Sequence, residues 1–396
     1  MRTEWQWKAV SEIADHSLGK MLDKSKNRGE PRPYLRNLNV RWFDFDLSDL
    51  LQMRFLPEET ERYTASKGDL LICEGGYPGR AAIWDQDYPV HFQKALHRVR
   101  FREPERARWM LYYLHSLDLA GTLKKHFNGA GIQHLTGEAL ARFTLPIPPL
   151  TEQQRIVGIL DEAFEGIDTA KVNAEKNLQN ARALFESHLQ SVFTQRGKGW
   201  DERRLGDMVT RLTNGYVGPT RNIYQQTGVP YLLARHVRNN RLLFDGRTFI
   251  TQEFNRKNSK SMLNAGDVLL VQSGHIGHSA VVSKEHEGHN CHAMIVITPV
   301  KEAFIGPFLS LFFNSSRMQQ KFQEIRSGST VPHLTCGEVK ELMVALPNLA
   351  TQQSVVDHSR ELETETRRLS GLYERKLAAL EEFKKSLLNQ AFTGAL

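Results

Sequence analysis

Cysteine is scarce in this chain of 396 residues: Cys73, Cys291 and Cys336 are three, an odd number, and far apart. That excludes a disulfide framework and points to a reducing compartment. No apolar run approaches the roughly 18 residues needed to cross a bilayer. The opening segment lacks the apolar stretch of a secretion signal and carries Arg2, Glu4 and Lys8. Secreted and membrane classes are set aside, and a cytoplasmic protein is expected. The phosphate-binding glycine patterns are missing as well. Gly19-Lys20 and Gly197-Lys198 lack the flanking residues of a P-loop, and Gly129-Ala130-Gly131 does not continue into a dinucleotide fingerprint. Three Glu-x-Lys triplets, at Glu338, Glu374 and Glu382, follow no Pro-Asp pair, so nuclease chemistry is not expected from them. No catalytic residue, cofactor or metal is expected.

What the chain does contain is itself, twice. WQWKAVSEIA (5–14) returns as WDERRLGDMV (200–209), KGDLLICEGG (67–76) as AGDVLLVQSG (265–274), and PPLTEQQRIV (148–157) as PNLATQQSVV (347–356). HLT at His134 returns at His333, and Phe193 of SVFTQRG aligns with Phe392 of QAFTGAL. Five anchors in one order, offset by 195 to 199 residues, mark a tandem duplication. Each copy begins with about 150 residues of mixed pattern. Strands are predicted at 69–73, 267–271 and 293–299, and helices at 107–119 and 308–325. An α+β class follows.

Each copy ends in a long heptad helix. After Pro148-Pro149 the seam runs through Ile156, Leu160, Ala163, Ile167, Ala170, Ala174, Leu178, Ala181, Phe185, Leu189 and Val192. After Pro347 it runs through Val355, Ser359, Leu362, Thr366, Leu369, Tyr373, Leu377, Leu380, Phe383, Leu387 and Ala391. Some 40 residues at 1.5 Å each give roughly 60 Å of helix with a seam that cannot be buried alone. Antiparallel pairing within the chain is the simplest solution, with pseudo-twofold symmetry between the copies. The expected segments are therefore 1–150, 151–195, 196–348 and 349–396.

The net charge of +7 is unevenly spread. Segment 1–150 holds 22 basic and 19 acidic residues and 196–348 holds 19 and 12, whereas the helices hold 4 and 7 (151–195) and 7 and 7 (349–396). The positive excess lies on the globules, as expected of surfaces that meet a phosphate backbone.

The long helices with their lead-ins PIPPLTEQQRIVGILD and ALPNLATQQSVVDHSR, the closing LLNQAFTGAL, and the GDLLICEGG and GDVLLVQSGHIG segments resemble the specificity subunits of type I restriction–modification systems over the whole chain. The resemblance implies two target-recognition domains separated by two antiparallel coiled-coil helices, each domain reading one half of a split double-stranded DNA target. It also implies two methyltransferase subunits and restriction (translocase) subunits as partners, with no catalysis in this chain. The Asn-Pro-Pro-aromatic tetrapeptide expected of the methyltransferase partners is absent. A coiled-coil adaptor with basic protein-binding globules is the alternative.

Specific reading needs hydrogen-bonding side chains at base edges and basic ones on phosphates. In the first copy the basic, Gly/Pro-broken stretch 19–36 offers Lys20, Lys24, Lys26, Arg28, Arg32 and Arg36, though a solvated loop reads equally well. Asn37, Tyr77, Arg80 and Lys94 complete that set. The second copy offers Tyr216, Thr220, Arg221, Arg235, His236, Arg238, Gln272, Ser273, His275, His278 and His292. The histidines at 275, 278, 286, 289 and 292 with Cys291 admit a zinc site, a set of structural histidines, or a DNA-facing loop. The last is favoured because most of those positions carry Tyr, Arg, Gln or Lys in the first copy. His134 and His333 recur and admit a shared structural role or DNA contact, and Trp42, Phe43 and Phe45 are read as core.

Overall fold

The structure, a computed structural model, describes residues 5–23, 25–195, 199–326 and 332–396. It divides into two compact units, residues 1–174 with 375–396 and residues 175–374, the division falling inside both long helices.

In the first unit a four-stranded antiparallel sheet has the order Ala14–Leu18, Leu96–Phe101, Leu70–Cys73, Ala81–Ile83. Leu70–Cys73 is apolar throughout because it is covered on both faces. Leu70 and Ile72 join the core under helix Arg106–Leu119, whereas Leu71 and Cys73 face Ala82, Trp84 and Phe92. Burial pushes the Cys73 thiol up to about 11, which leaves it unreactive. A second sheet orders Leu51–Phe55, Glu30–Leu35, Val90–Phe92 and Thr64–Ala65, with a parallel pairing of Glu30–Leu35 and Val90–Phe92. Strand Gln6–Ala9 pairs with Thr144–Ile147, the strand that leads into the first long helix, Leu150–Thr194.

The expected seam is buried in this unit, with one correction. Ile156, Leu160 and Ile167 face Leu387, Leu388 and Ala391, and Lys171–Glu381 (2.8 Å) and Asp168–Lys384 (3.8 Å) fix an antiparallel run against the second long helix, Leu349–Thr393. Phe383 is exposed, however, and Lys384 takes its place with its ammonium 4.3 Å from the Phe164 ring. A cation over an aromatic face can sit at a seam that heptad spacing assigns to an apolar residue. The closing phrase docks through Phe392, whose ring lies 4.7 Å from Trp109 and 5.1 Å from Tyr113.

The second unit repeats the plan: Val209–Asn214, Met294–Pro299, Val268–Val271 and Ser279–Val281 form its antiparallel sheet. Val229–Leu232 lies between Phe249–Ile250 and Asn290–Cys291, parallel to the latter, and Asp201–Arg204 pairs with Met343–Leu346. The single helix expected over 308–325 is two, Gly306–Asn314 and Ser316–Ile325. Ser315 is extended (φ −67°, ψ 146°) and its hydroxyl accepts the Met318 N–H, so it ends one helix and caps the next. Here Leu189 and Phe193 of the first long helix pack with Phe308 and Phe312, while Arg182 pairs with Glu374 at 2.8 Å, again antiparallel. The mixed α+β class, the internal repeat and the two long helices are all present.

The repeated Gly-Asp step has a buried role. Asp69 accepts the Ser66 N–H (2.7 Å) and is gripped by the Arg100 guanidinium through Nε (2.7 Å) and Nη2 (2.6 Å). Asp267 accepts the Asn264 N–H (2.8 Å), Thr298 Oγ1 (2.5 Å) and Arg211. The loops before the two central strands are thus tied to their neighbours.

His115, at 6 % exposure, sits among Trp42, Phe43 and Phe164, with both ring nitrogens unpartnered among the described residues. Burial, reinforced by nearby Lys384 and opposed by Glu381, lowers its pKa to about 3. The unfolded chain then binds the proton more readily, so stability is complete above the unfolded value near 6.5 and is lost as pH falls toward 3. Lowering pH from 7 to 5 is expected to cost the first unit about 2 kcal/mol through this residue. A pH series of denaturation midpoints in which His115→Phe is as acid-sensitive as the wild type would remove it as the cause.

Candidate nucleic-acid interface

In the first unit several loops converge at one end of the strands, and main-chain hydrogen bonds join them. Gln93 N–H donates to Leu35 O (3.1 Å), Lys94 N–H to Lys20 O (2.8 Å), Lys20 N–H to Phe92 O (3.1 Å), and Glu74 N–H to Ala95 O (2.8 Å). Asn37 Nδ2 donates to Gly75 O (3.0 Å), and Arg80 Nη2 to Asn37 O (2.9 Å). The glycine-rich loop therefore lies against the end of Glu30–Leu35. Gly76 has φ +76°, and a Cβ there would fall 2.0 Å from Asn37 Nδ2, so the loop's course requires glycine.

The expected residues fare differently on this frame. Asn37, Tyr77 and Arg80 are brought together, and the Lys94 backbone is tied into the same frame. Tyr77 is exposed under the Arg80 guanidinium (4.8 Å), and Lys94 is exposed, next in sequence to the half-buried Gln93. Lys20 belongs to the same frame, but its ammonium is buried against Glu59 and the Arg54 carbonyl (2.9 Å), so it offers no free cation. Arg36 is held by Asp49 (2.6 Å). Lys26 and Arg28 are exposed on the loop before Glu30–Leu35, Lys26 near Asp23 (3.7 Å) and Arg28 on Ser25 O (2.8 Å), and Arg32 is exposed on that strand. Lys24 lies outside the described residues.

The second unit carries the same frame. His292 N–H donates to Leu232 O (2.9 Å), Tyr216 N–H to Cys291 O (2.9 Å), and Ala293 N–H to Tyr216 O (3.0 Å). Tyr216 and His292 are brought together, the Tyr216 ring packing on Phe254 at 5.0 Å. The loop after the central strand holds Gln272, Ser273, His275 and His278. Leu334 N–H donates to Gln272 O (2.9 Å), as Leu135 N–H does to Glu74 O (2.8 Å) in the first unit. His134 lies on that junction with Nδ1 3.0 Å from Glu74, and His333 bridges Ser273 in the equivalent place. The Gln272 side-chain Oε1 and His278 Nδ1 are buried without a partner among the described residues.

His236 is buried. Its Nδ1 accepts the Leu233 N–H (3.0 Å), so Nε2 donates to Asp245 (3.0 Å), making it a local cap. Arg235 pairs with the same carboxylate (3.1 Å) and, with His236 and the Arg247 N–H, holds Asp245 down to about 2. Arg238 is exposed at the hairpin Val237–Arg238 and Arg241–Leu242. Thr220 and the exposed Arg221 sit on the loop beyond Tyr216.

The histidines of 275–292 do not gather. His275 pairs with His278 (ring centroids 5.8 Å apart) and His286 with His289 (5.6 Å), while His292 sits with Tyr231. Among the described residues no three His, Cys, Asp or Glu side chains are placed to hold a metal ion. Burial lowers the pKa of His278, His289 and His292, keeping them neutral near pH 7.

Residues 2–179 and 197–371 each match the family described as type I restriction modification DNA specificity domain. The EcoBI specificity subunit of a type I restriction enzyme from Escherichia coli is 21% identical over 363 residues, covering 85% of this chain and 75% of that protein. The MjaVIII specificity subunit from Methanocaldococcus jannaschii is 20% identical over 304 residues, 72% of this chain and 70% of that one. A solved chain from work on complex assembly and conformational transition of the type I R-M system superposes with TM-score 0.75 at 17% identity, covering 100% of this chain and 99% of its own. The HsdS subunit from Thermoanaerobacter tengcongensis does so at 0.65 and 16%, covering 100% and 98%. The fold is common to these chains, and the two tandem matches place this protein in the type I restriction–modification DNA specificity family.

Proposed function

We propose that the chain is the non-catalytic reader of a bipartite double-stranded DNA target, each unit's loop frame engaging one half-site, and that its long helices scaffold two methyltransferase subunits and, in the full complex, restriction subunits in a prokaryotic cytoplasm. The observation that supports this reading is the repetition of one hydrogen-bonded loop frame in both units while the side chains on it differ: Gln93 and Lys94 in one, His292 and Ala293 in the other. A constant scaffold with changed hydrogen-bonding groups suits two dissimilar half-sites. The exposed Tyr77, Lys94, Arg238 and His275 are the frame's open groups.

Mapping of methylated bases in cells that express the chain with its methyltransferase partner should give a split motif. Binding to that motif should weaken steeply with salt. Gly76→Ala, which forces both a strained φ and a clash with Asn37, should reduce affinity for the motif by roughly tenfold. Salt-independent binding, or methylation without a split motif, would refute the proposal.

A further inference from the structure

The two frames present one side chain at the same place, and we infer that Gln93 and His292 are equivalent base-reading residues, one per half-site, with Gln93 taking an adenine edge. The inference rests on the DNA reading proposed above. The equivalence is geometric. Gln93 and His292 are 199 residues apart, each forms an isolated parallel bridge, with Lys20 and Tyr216 respectively, and each donates its N–H to the residue that ends the neighbouring strand, Leu35 or Leu232. A glycine precedes the bridging residue in both units. A Cβ on Gly19 would lie 2.3 Å from Gln93 O and one on Gly215 2.7 Å from Cys291 O, so both crossings are tight enough to fix the backbone that carries the reading side chain.

Several of the frame's other polar side chains are occupied. In the first unit Lys20 is bound to Glu59, Arg36 to Asp49, Asn37 to Gly75 O, and Arg80 to Asn37 O. In the second, Arg235 and His236 are bound to Asp245. Gln93, half-buried, makes no side-chain hydrogen bond among the described residues, whereas the His292 ring is engaged by the Tyr216 backbone and has its Nδ1 3.4 Å from Tyr231 Oη. A half-buried amide with donor and acceptor both open matches the N6 and N7 edge of adenine. The neutral His292 ring, already engaged by the Tyr216 backbone, presents a smaller hydrogen-bonding edge than the Gln93 amide, a different selection from the same place. Lys94, exposed and long, suits a phosphate beside the base that Gln93 reads.

The test is methylation mapping with the full chain and its methyltransferase partner for Gln93→Ala, Gln93→Asn and His292→Ala, with melting temperatures read alongside. Both Gln93 variants should lose roughly ten- to a hundredfold discrimination at one adenine–thymine pair of one half-site and leave the other half-site intact. His292→Ala should relax one pair of the other half-site. Gln93→Asn keeps the amide, so it preserves the fold while falling short of the bidentate contact. An unchanged motif, or uniform weakening at all sites with an unaltered motif, overturns the assignment of Gln93 and His292. Absence of a split motif in the wild type refutes the underlying DNA reading instead.

Discussion

Phe164→Ala should destabilise the first unit by about 3–5 kcal/mol, whereas Glu363→Ala, at the equivalent position of the second repeat, should change stability by less than about 1 kcal/mol. The two positions are 199 residues apart on the two long helices. In the first unit Phe164 is 6 % exposed, with ring centroids 5.2 Å from Tyr112, 5.9 Å from Phe43 and 6.3 Å from His115, while Trp42 lies 4.7 Å from His115. Truncating one ring of such a cluster leaves a void that its neighbours cannot close. The second repeat has the same backbone and different contents. Asn240 stands where Phe43 does: both have positive φ (62° and 67°), and their N–H groups donate to the equivalent carbonyls Ser279 O (3.1 Å) and Ala81 O (3.2 Å).

Around Asn240 the rings are replaced by Asn239, Ser310, Asn314, Glu363 and Thr366, and two open cavities of about 320 and 670 Å³ share Asn240 and Glu363 in their linings. Glu363 pairs with Arg367 at 2.7 Å on the same helix, an interaction of surface type. Five of the six tryptophans (Trp5, Trp7, Trp42, Trp84 and Trp109) belong to the first unit, so their fluorescence during guanidinium unfolding follows that unit, and far-ultraviolet dichroism follows both. Equal shifts of midpoint for the two variants would mean that the aromatic cluster carries no special share of stability.

That contrast also marks what the sequence could convey. The 3.5-residue period reports burial against a partner helix, and it located both long helices because a seam must recur over many turns to be buried at all. Ten of the eleven positions expected on the second seam are at least half-buried, and Phe383 fails because a lysine can place its stem at a seam when an aromatic face awaits its charge. The strands at 70–73 and 268–271 were legible because two-sided burial leaves no polar position. Partners distant in sequence were not. Nothing near Lys20 signals that Glu59, 39 residues on, will neutralise it. Nor does the segment around His236 reveal that Asp245 turns it into a cap. Gln93 carries no local signal beyond its place next to Lys94, and only the superposed hydrogen bonding of the two frames singles it out.

The buried Gly-Asp carboxylate offers the other large effect, because the two repeats grip it from different strands. Arg100 lies on Leu96–Phe101 with Asp15 directly opposite on Ala14–Leu18. In the second unit Thr298 occupies the Arg100 position, and Arg211 comes from the opposite strand where the first unit has Asp15. The guanidinium has changed strands while its target stayed. Arg100→Thr should therefore cost about 2–3 kcal/mol, between the loss expected for a buried pair and for a surface one, since Asp69 is almost wholly buried and Arg100 is about half exposed. Asp15→Arg alone places a cation beside Arg100 and should gain nothing. The double variant rebuilds the arrangement of the second unit, with the hydroxyl of threonine and the new guanidinium both facing Asp69, and should recover at least half of the loss. The coupling is read as a double-mutant cycle of denaturation midpoints. If the two substitutions simply add, Asp69 is not held by charge reaching it from either strand, and the correspondence between the repeats stops at the backbone.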